Sequence, residues 1–423
     1  MNMKAYFVTV LFMICNGASA SVWDAENHWS DQWEEKFSLW VEENWVPEVF
    51  SSPSSPYSGI ATDCADAVYD VRLLFAYEHG LPFVINNPKS PGGRISNAMT
   101  TWDHLSQKAR VMALIRYVND MTSSETIPND TYPIPINKHS FKPGVIYVEP
   151  GSHAFLVVGM SEYGVPSTLS STVPRVAREL YIEQNFPSFV PSDTTRHRDG
   201  YRRFRWPEHL KLAVTKVPGF DDEQYRLAWF AGFDYIKFTD ELMRLLGQKP
   251  EPAPMRARRF MYILCYVARQ RAEIVGEADK YRMRMRSTGR RCMNRREYFD
   301  YSTNSRDGRL KKYFQYVRAL IGSSTWSDAG WRKSSFRRER YLKPYAEAIF
   351  RSGDDDVSGR AKKATNDDLI AWCGIEYKPG TNISLRDVWQ SIGRNTLSPD
   401  PNDSLESRWG RIDWPDGSGC PKY

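Results

Sequence analysis

Cys64 and His153 are the two residues of this chain whose types could carry covalent chemistry together. Cys64 opens a predicted helix in the run Gly59-Ile60-Ala61-Thr62-Asp63-Cys64-Ala65-Asp66-Ala67-Val68-Tyr69, and His153 begins an apolar strand 89 residues further on. A cysteine in the first turn of a helix faces unbonded backbone N–H groups and the positive end of the helix dipole, both of which favour thiolate over thiol. A thiolate with a histidine as its acid–base partner attacks amide carbonyls. The plain alternatives are a buried structural cysteine and a structural histidine. What weighs against them is that each residue has the other.

The elements that must hold this pair are legible in the spacing. After Cys64, the residues Val68, Val71, Leu74, Phe75 and Leu81 recur mostly at three and four, a core-facing helical stripe. Around His153 stand two β-rich runs, Phe141-Lys142-Pro143-Gly144-Val145-Ile146-Tyr147-Val148 and Ser152-His153-Ala154-Phe155-Leu156-Val157-Val158-Gly159. Their Pro-Gly punctuation predicts a hairpin with His153 at the start of its second strand.

The D-C-A-D-x-V-Y helix and the P-G-V-I-Y…S-H-A-F-L-V-V-G hairpin resemble the NlpC/P60 superfamily of papain-like cysteine peptidases and amidases over residues 55–175. In that family the corresponding motifs read D-C-S-G-F and P-G-D-L-V-F-F…G-H-V-G-I-Y. Ala65-Asp66 stands here in place of Ser-Gly, and Ser152 in place of Gly. The resemblance implies an α+β fold, with an N-terminal catalytic helix packed on an antiparallel sheet and, in this chain, a large helical C-terminal region. It also implies a Cys64 nucleophile, His153 as acid and base, and a third polar residue on the next strand to orient the imidazole. That strand, Val165 to Thr172, holds no His, Asn or Gln. Ser170 is preferred there, with Thr168, Glu183, Gln184 and Asn185 as alternatives. Tyr57 matches the tyrosine that lines the oxyanion region in family members, and a packing aromatic is the plain alternative. Asp63 and Trp102 are the further substrate-contact candidates, Trp102 together with the Gly92-Gly93 loop because both fall in a stretch longer than the family core needs. No metal or cofactor is implied.

The first 20 residues place Lys4 before an apolar run that ends Gly17-Ala18-Ser19-Ala20, the pattern of a cleavable export signal. The expected location is periplasmic or extracellular, with no membrane span after the signal. Removing Cys15 with the signal leaves Cys64, Cys265, Cys292, Cys373 and Cys420. In an oxidising compartment the four C-terminal cysteines close as two disulfides of undetermined connectivity, and Cys64 stays free for chemistry.

Four regions follow: a signal at 1–20, an aromatic helix within 21–50, a catalytic domain at 51–215 and a helical, basic, disulfide-bearing region at 216–423. In the second, Trp29, Trp33, Phe37 and Trp40 share one helical face, read as a clamp on the catalytic domain. Beyond the hairpin, His197, Tyr201, Arg202, Arg203, Phe204, Arg205 and Trp206 form a cationic aromatic strip, read as a groove wall or a solvated strand edge. From Met255 to Lys343 there are 24 Lys and Arg against 8 Asp and Glu, a net +16 where the whole chain carries only +6. Such asymmetry points to an anionic partner, here peptidoglycan or another anionic envelope polymer; an exported chain makes nucleic acid a poor guess. Pairing with the acidic remainder of the chain is the alternative.

The expectation is therefore an exported cysteine hydrolase that cleaves amide bonds in cell-wall peptides. Two rivals stand beside it: an acyltransferase using the same thiolate, and a catalytically silent envelope-binding protein.

Overall fold

The computed structural model describes residues 21–322, 342–351, 364–412 and 418–423. The export-signal segment and Cys15 lie outside the described residues, as does the end of the basic segment at 323–341. In chain order the elements begin with α1 Asp31–Asn44, α2 Cys64–Glu78, β1 Val84–Asn86, β2 Arg94–Ser96, α3 Gln107–Met121 and α4 Ile127–Asp130. Then come β3 Thr131–Pro133, β4 Ile146–Glu149, β5 His153–Met160, β6 Pro166–Ser170, β7 Tyr181–Gln184 and β8 Gly200–Phe204. The remainder is helical except for one small hairpin: α5 Glu223–Phe230, α6 Tyr235–Leu246, α7 Ala253–Ser287, α8 Arg295–Tyr301, α9 Asn304–Ile321, α10 Leu342–Ile349, α11 Asn366–Cys373, β9 Ile375–Lys378, β10 Thr381–Ile383, α12 Leu385–Gly393 and α13 Leu405–Arg408.

An antiparallel six-stranded sheet in the order β3-β8-β4-β5-β6-β7 is the centre of this α+β fold. Side chains alternate faces along a strand, so each strand feeds two cores. From β4 and β5, Ile146, Val148, Ala154 and Leu156 enter one, while Tyr147, Phe155 and Val157 enter the other.

The first core belongs to α1, α2 and α3. The stripe expected on α2 is there, but burial goes further and takes in every residue from Ala65 to Ala76. Phe75 explains how the N-terminal aromatics contribute. Its ring centroid lies 5.9 Å from Trp29, 6.3 Å from Trp33, 5.1 Å from Phe37 and 5.5 Å from Trp40, so α1 clamps α2 through one phenylalanine.

The second core lies under α5 to α12, with the 35-residue α7 packed along α9. Disulfides join Cys265 to Cys373 and Cys292 to Cys420, and Cys64 is free. Among the described residues no helix is long and apolar enough to cross a membrane.

Two expectations about elements change. The cationic aromatic strip, from which Arg202 and Arg205 line a surface cavity, is not a sheet edge, because β8 runs inside the sheet between β3 and β4. Arg202 on it is fully buried, with Nε donating to Thr131 Oγ1 at 2.7 Å and its other nitrogens to backbone carbonyls. The stretch from Thr381 to Ile392, whose sequence predicts one final helix, is a strand followed by a capped helix, since Ser384 accepts from Asp387 N–H and ends the hairpin there.

Candidate active site

Cys64 occupies the first position of α2, and its local sequence builds that helix end. Asp63 is the N-cap: its Oδ1 accepts from Ala65 N–H at 2.9 Å and Asp66 N–H at 3.1 Å, while Asp63 N–H donates back to Asp66 Oδ2 at 2.8 Å. This reciprocal box satisfies the donors behind Cys64. Cys64's own N–H gives to no described acceptor and remains available to a ligand. The approach to the helix is fixed from the sheet, because Thr62 Oγ1 donates to Ser171 Oγ at 3.0 Å and Ser171 Oγ donates to Thr62 O at 2.9 Å. Ser171 follows directly on β6, so the helix N-terminus is held over the end of the β5–β6 ladder.

There the thiol meets the strand that carries His153. The backbone N–H of Ala154, the next residue, is directed at the Cys64 sulfur. The His153 ring packs edge-on against Phe155 with centroids 4.5 Å apart. α9 closes the site from the second core. Arg309 sits 5.3 Å from the Phe155 ring centroid and forms an ion pair with Glu183 of β7. Arg306 donates to Thr172 Oγ1, to Val173 O at 3.0 Å and to Ser302 O at 3.1 Å, and its charge acts on both Cys64 and His153. No hydrogen bond joins the thiol to the imidazole, and no described group hydrogen-bonds the His153 ring.

The electrostatics run against the expectation of a resting thiolate. Cys64 keeps partial exposure, but burial of its sulfur pushes the thiol far up and the carboxylates of Asp63 and Asp66 push the same way. Dehydration and two acids in the first turn outweigh the helix dipole, whose effect is a fraction of a unit charge. Burial, with Arg309 and Arg306, drives His153 well below its ordinary range. At neutral pH the pair is a neutral thiol beside a neutral imidazole.

Behind Cys64 the acids continue along α2. Burial raises Asp66 to about 8 despite Arg175, whose Nε lies 2.6 Å from its Oδ2. Arg175 also reaches Asp120 on α3 at 2.8 Å and Asp63 at 3.7 Å. Asp70, one turn on, is pushed well above the usual carboxylate range by burial and by Asp66, and accepts from the Asn119 amide.

Of the expected site residues, Asp63 and Cys64 share the N-terminus of α2, with the Cys64 sulfur against Ala154 N–H one residue past His153, and the His153 ring packs on Phe155. Tyr57 does not: its hydroxyl donates to Glu78, the last residue of α2, a full helix away from Cys64, because the serine-proline run folds back along that helix. Trp102 packs edge-on against Tyr117 of α3 at 5.7 Å and has no described contact with the pair. Ser170 is buried and does not bond His153. Thr168 Oγ1 donates to Glu183 O at 3.4 Å, Glu183 pairs with Arg309, and Asn185 binds Arg259 and Tyr313. None of the five orients the imidazole. Sequence reasoning missed Arg306, Arg309 and Arg175. The first two stand three apart on α9 in the segment assigned to polymer binding, so their periodicity was visible while their direction was not.

The basic segment divides on inspection. Arg256, Arg259, Arg282 and Arg290 pair with Asp240, Glu251, Asp279 and Glu297. At the end of α7 and on α8, Arg284, Arg286, Arg295 and Arg296 are exposed and form no ion pair among the described residues. No group of acids, histidines and cysteines suited to a metal ion occurs among the described residues.

No model of a known protein family matches this chain, and no curated protein or solved structure matches it either.

Proposed function

We propose that the chain is an exported cysteine hydrolase that cleaves amide bonds, with Cys64 as nucleophile and His153 as acid and base. The observation that carries this reading is the free thiol at the first position of a fully packed helix, seated against the backbone one residue past the histidine. Because both groups rest neutral, the reaction starts with transfer of the thiol proton to the imidazole as sulfur attacks the carbonyl carbon. The cation of Arg306 offsets the negative charge left on sulfur, and Cys64 N–H donates to the developing oxyanion. The imidazolium then returns the proton to the leaving amine, and water resolves the thioester. The NlpC/P60 resemblance supports cell-wall peptides as the substrate class, and the unpaired arginines of α7 and α8 suit an anionic envelope polymer.

The experiment is mass spectrometry of peptidoglycan fragments after incubation with wild-type and Cys64→Ala protein. New peptide termini in the wild-type digest alone support the reading, and identical digests refute it. One observation favours a second reading, a silent binding protein: the raised thiol and the unbonded imidazole suit a site that does no chemistry. Iodoacetamide labelling of Cys64 across a pH series separates the two, since a rate that depends on His153 requires the pair to work together.

A further inference from the structure

Glu149 closes β4 as His153 opens β5, and the three-residue turn Pro150-Gly151-Ser152 between them makes the two directly opposed partners in the antiparallel ladder. Opposed residues project to the same face with Cβ atoms about 4.5–5.5 Å apart, a gap that a glutamate spans by rotating its own side chain. Glu149 Oε2 is buried and has no hydrogen-bond partner among the described residues. The imidazole across from it has none either. A buried carboxylate oxygen left unpaired is costly, and a hydrogen bond from the imidazole across the ladder removes that cost.

We infer that Glu149 is the positioning residue of His153, its carboxylate accepting one ring N–H so that the other ring nitrogen is unprotonated and turned to the Cys64 thiol. This rests on the Cys64–His153 reading. It supplies from the preceding strand the group that the following strand lacks, since Ser170, Thr168, Glu183 and Asn185 are engaged elsewhere or unbonded to the ring. Glu149 also lines a cavity of about 450 Å³ with Tyr147, Phe189, Asp199 and Lys312. The charged groups that face it are Lys312 and Arg309 of α9 and Asp199 ahead of β8, with the Ser152 hydroxyl beside it. Burial raises the Glu149 carboxyl above its ordinary range and Asp199 acts the same way, while the Ser152 hydroxyl, Lys312 and Arg309 oppose the rise.

The test reads alkylation of Cys64 by iodoacetamide against pH in wild type, Glu149→Gln, Glu149→Asp and His153→Ala, with thermal melts to follow folding. Glu149→Gln is expected to remove most of the His153-dependent rate, about tenfold or more, and Glu149→Asp to restore part of it. A Glu149→Gln profile that overlays wild type while His153→Ala departs from it overturns the role of Glu149 and leaves the catalytic pair standing. If His153→Ala itself overlays wild type, the pair fails and the positioning role fails with it. Should the glutamine variant not fold, nitrogen-15 shifts of the His153 ring in the wild-type protein decide: a single tautomer is expected, and a mixture of tautomers overturns the proposal.

Discussion

The two faces of the central sheet are stabilised by different means, and the site lies where they meet. On the α2 face there is no disulfide among the described residues; a cage of tryptophan and phenylalanine rings around Phe75 holds the cysteine helix, together with the two-pronged Arg72–Glu34 ion pair. On the α7–α9 face two disulfides tie distant segments together, and the buried Arg309 pairs with Glu183 of the sheet. The thiol therefore comes from the face without cross-links, where burial and the acids Asp63 and Asp66 set its ionisation, while Arg309 and Arg306 from the other face act on His153.

The most severe test of this division is chemical. Cys64→Ala and His153→Ala are each expected to lower turnover by about a thousandfold or more while leaving the melting temperature close to wild type. Retention of a tenth of the activity would dissolve the idea that the faces converge on a reaction. Phe75→Ala comes next, because it removes the ring on which four aromatics meet. Equilibrium unfolding should register a loss of about 3–5 kcal/mol, and a loss under 1 kcal/mol would mean that the cage does not hold α2.

The disulfides sharpen the contrast. Cys265 and Cys373 are 108 residues apart, and replacing both with serine should cost about 2–5 kcal/mol. Hydrogen exchange should find the loss of protection concentrated in α7 and α9; equal loss in α2 would show that the two faces unfold as one. A smaller effect is expected from Asp66. Burial raises it from 3.8 to about 8, so across that window the folded chain holds a proton that the unfolded chain has released. Stability from this group is complete below the lower value and declines as pH climbs to the upper one. Melting temperatures of Asp66→Asn should fall less steeply with pH than those of wild type, and parallel slopes would place the buried charge elsewhere. Smallest is the effect of reversing charge at Arg284, Arg286, Arg295 and Arg296, which should weaken sedimentation with isolated envelopes and make what remains less dependent on salt while sparing a small soluble substrate. Unchanged sedimentation would return these arginines to the role of a solvated surface.

Particular residues mark how far the amino-acid order reaches. The N-cap of α2 was legible in Asp63-Cys64-Ala65-Asp66, as were the hairpin ahead of His153, the aromatic face of α1 and the odd number of cysteines, because each is written in residues a few positions apart or in a simple count. The register that sets Glu149 against His153 was not read from the sequence, because the two strand runs stop at Val148 and start at Ser152 and leave the pairing open. The place of Tyr57, at the wrong end of α2, was not, since a proline-rich loop can leave a helix in several directions and packing chooses among them.

Ionisation was the least legible property. From the sequence, a cysteine at a helix start reads as a thiolate, whereas the folded chain buries the sulfur beside two carboxylates. The groups that perturb the pair, Arg306 and Arg309, come from more than 150 residues away along the chain. The hydrogen bonds of a cap and of a tight hairpin join residues three or four positions apart and so leave their pattern in local spacing. Dehydration and charge depend on everything that packs within several ångströms, and that neighbourhood exists only once α9 has closed over the sheet.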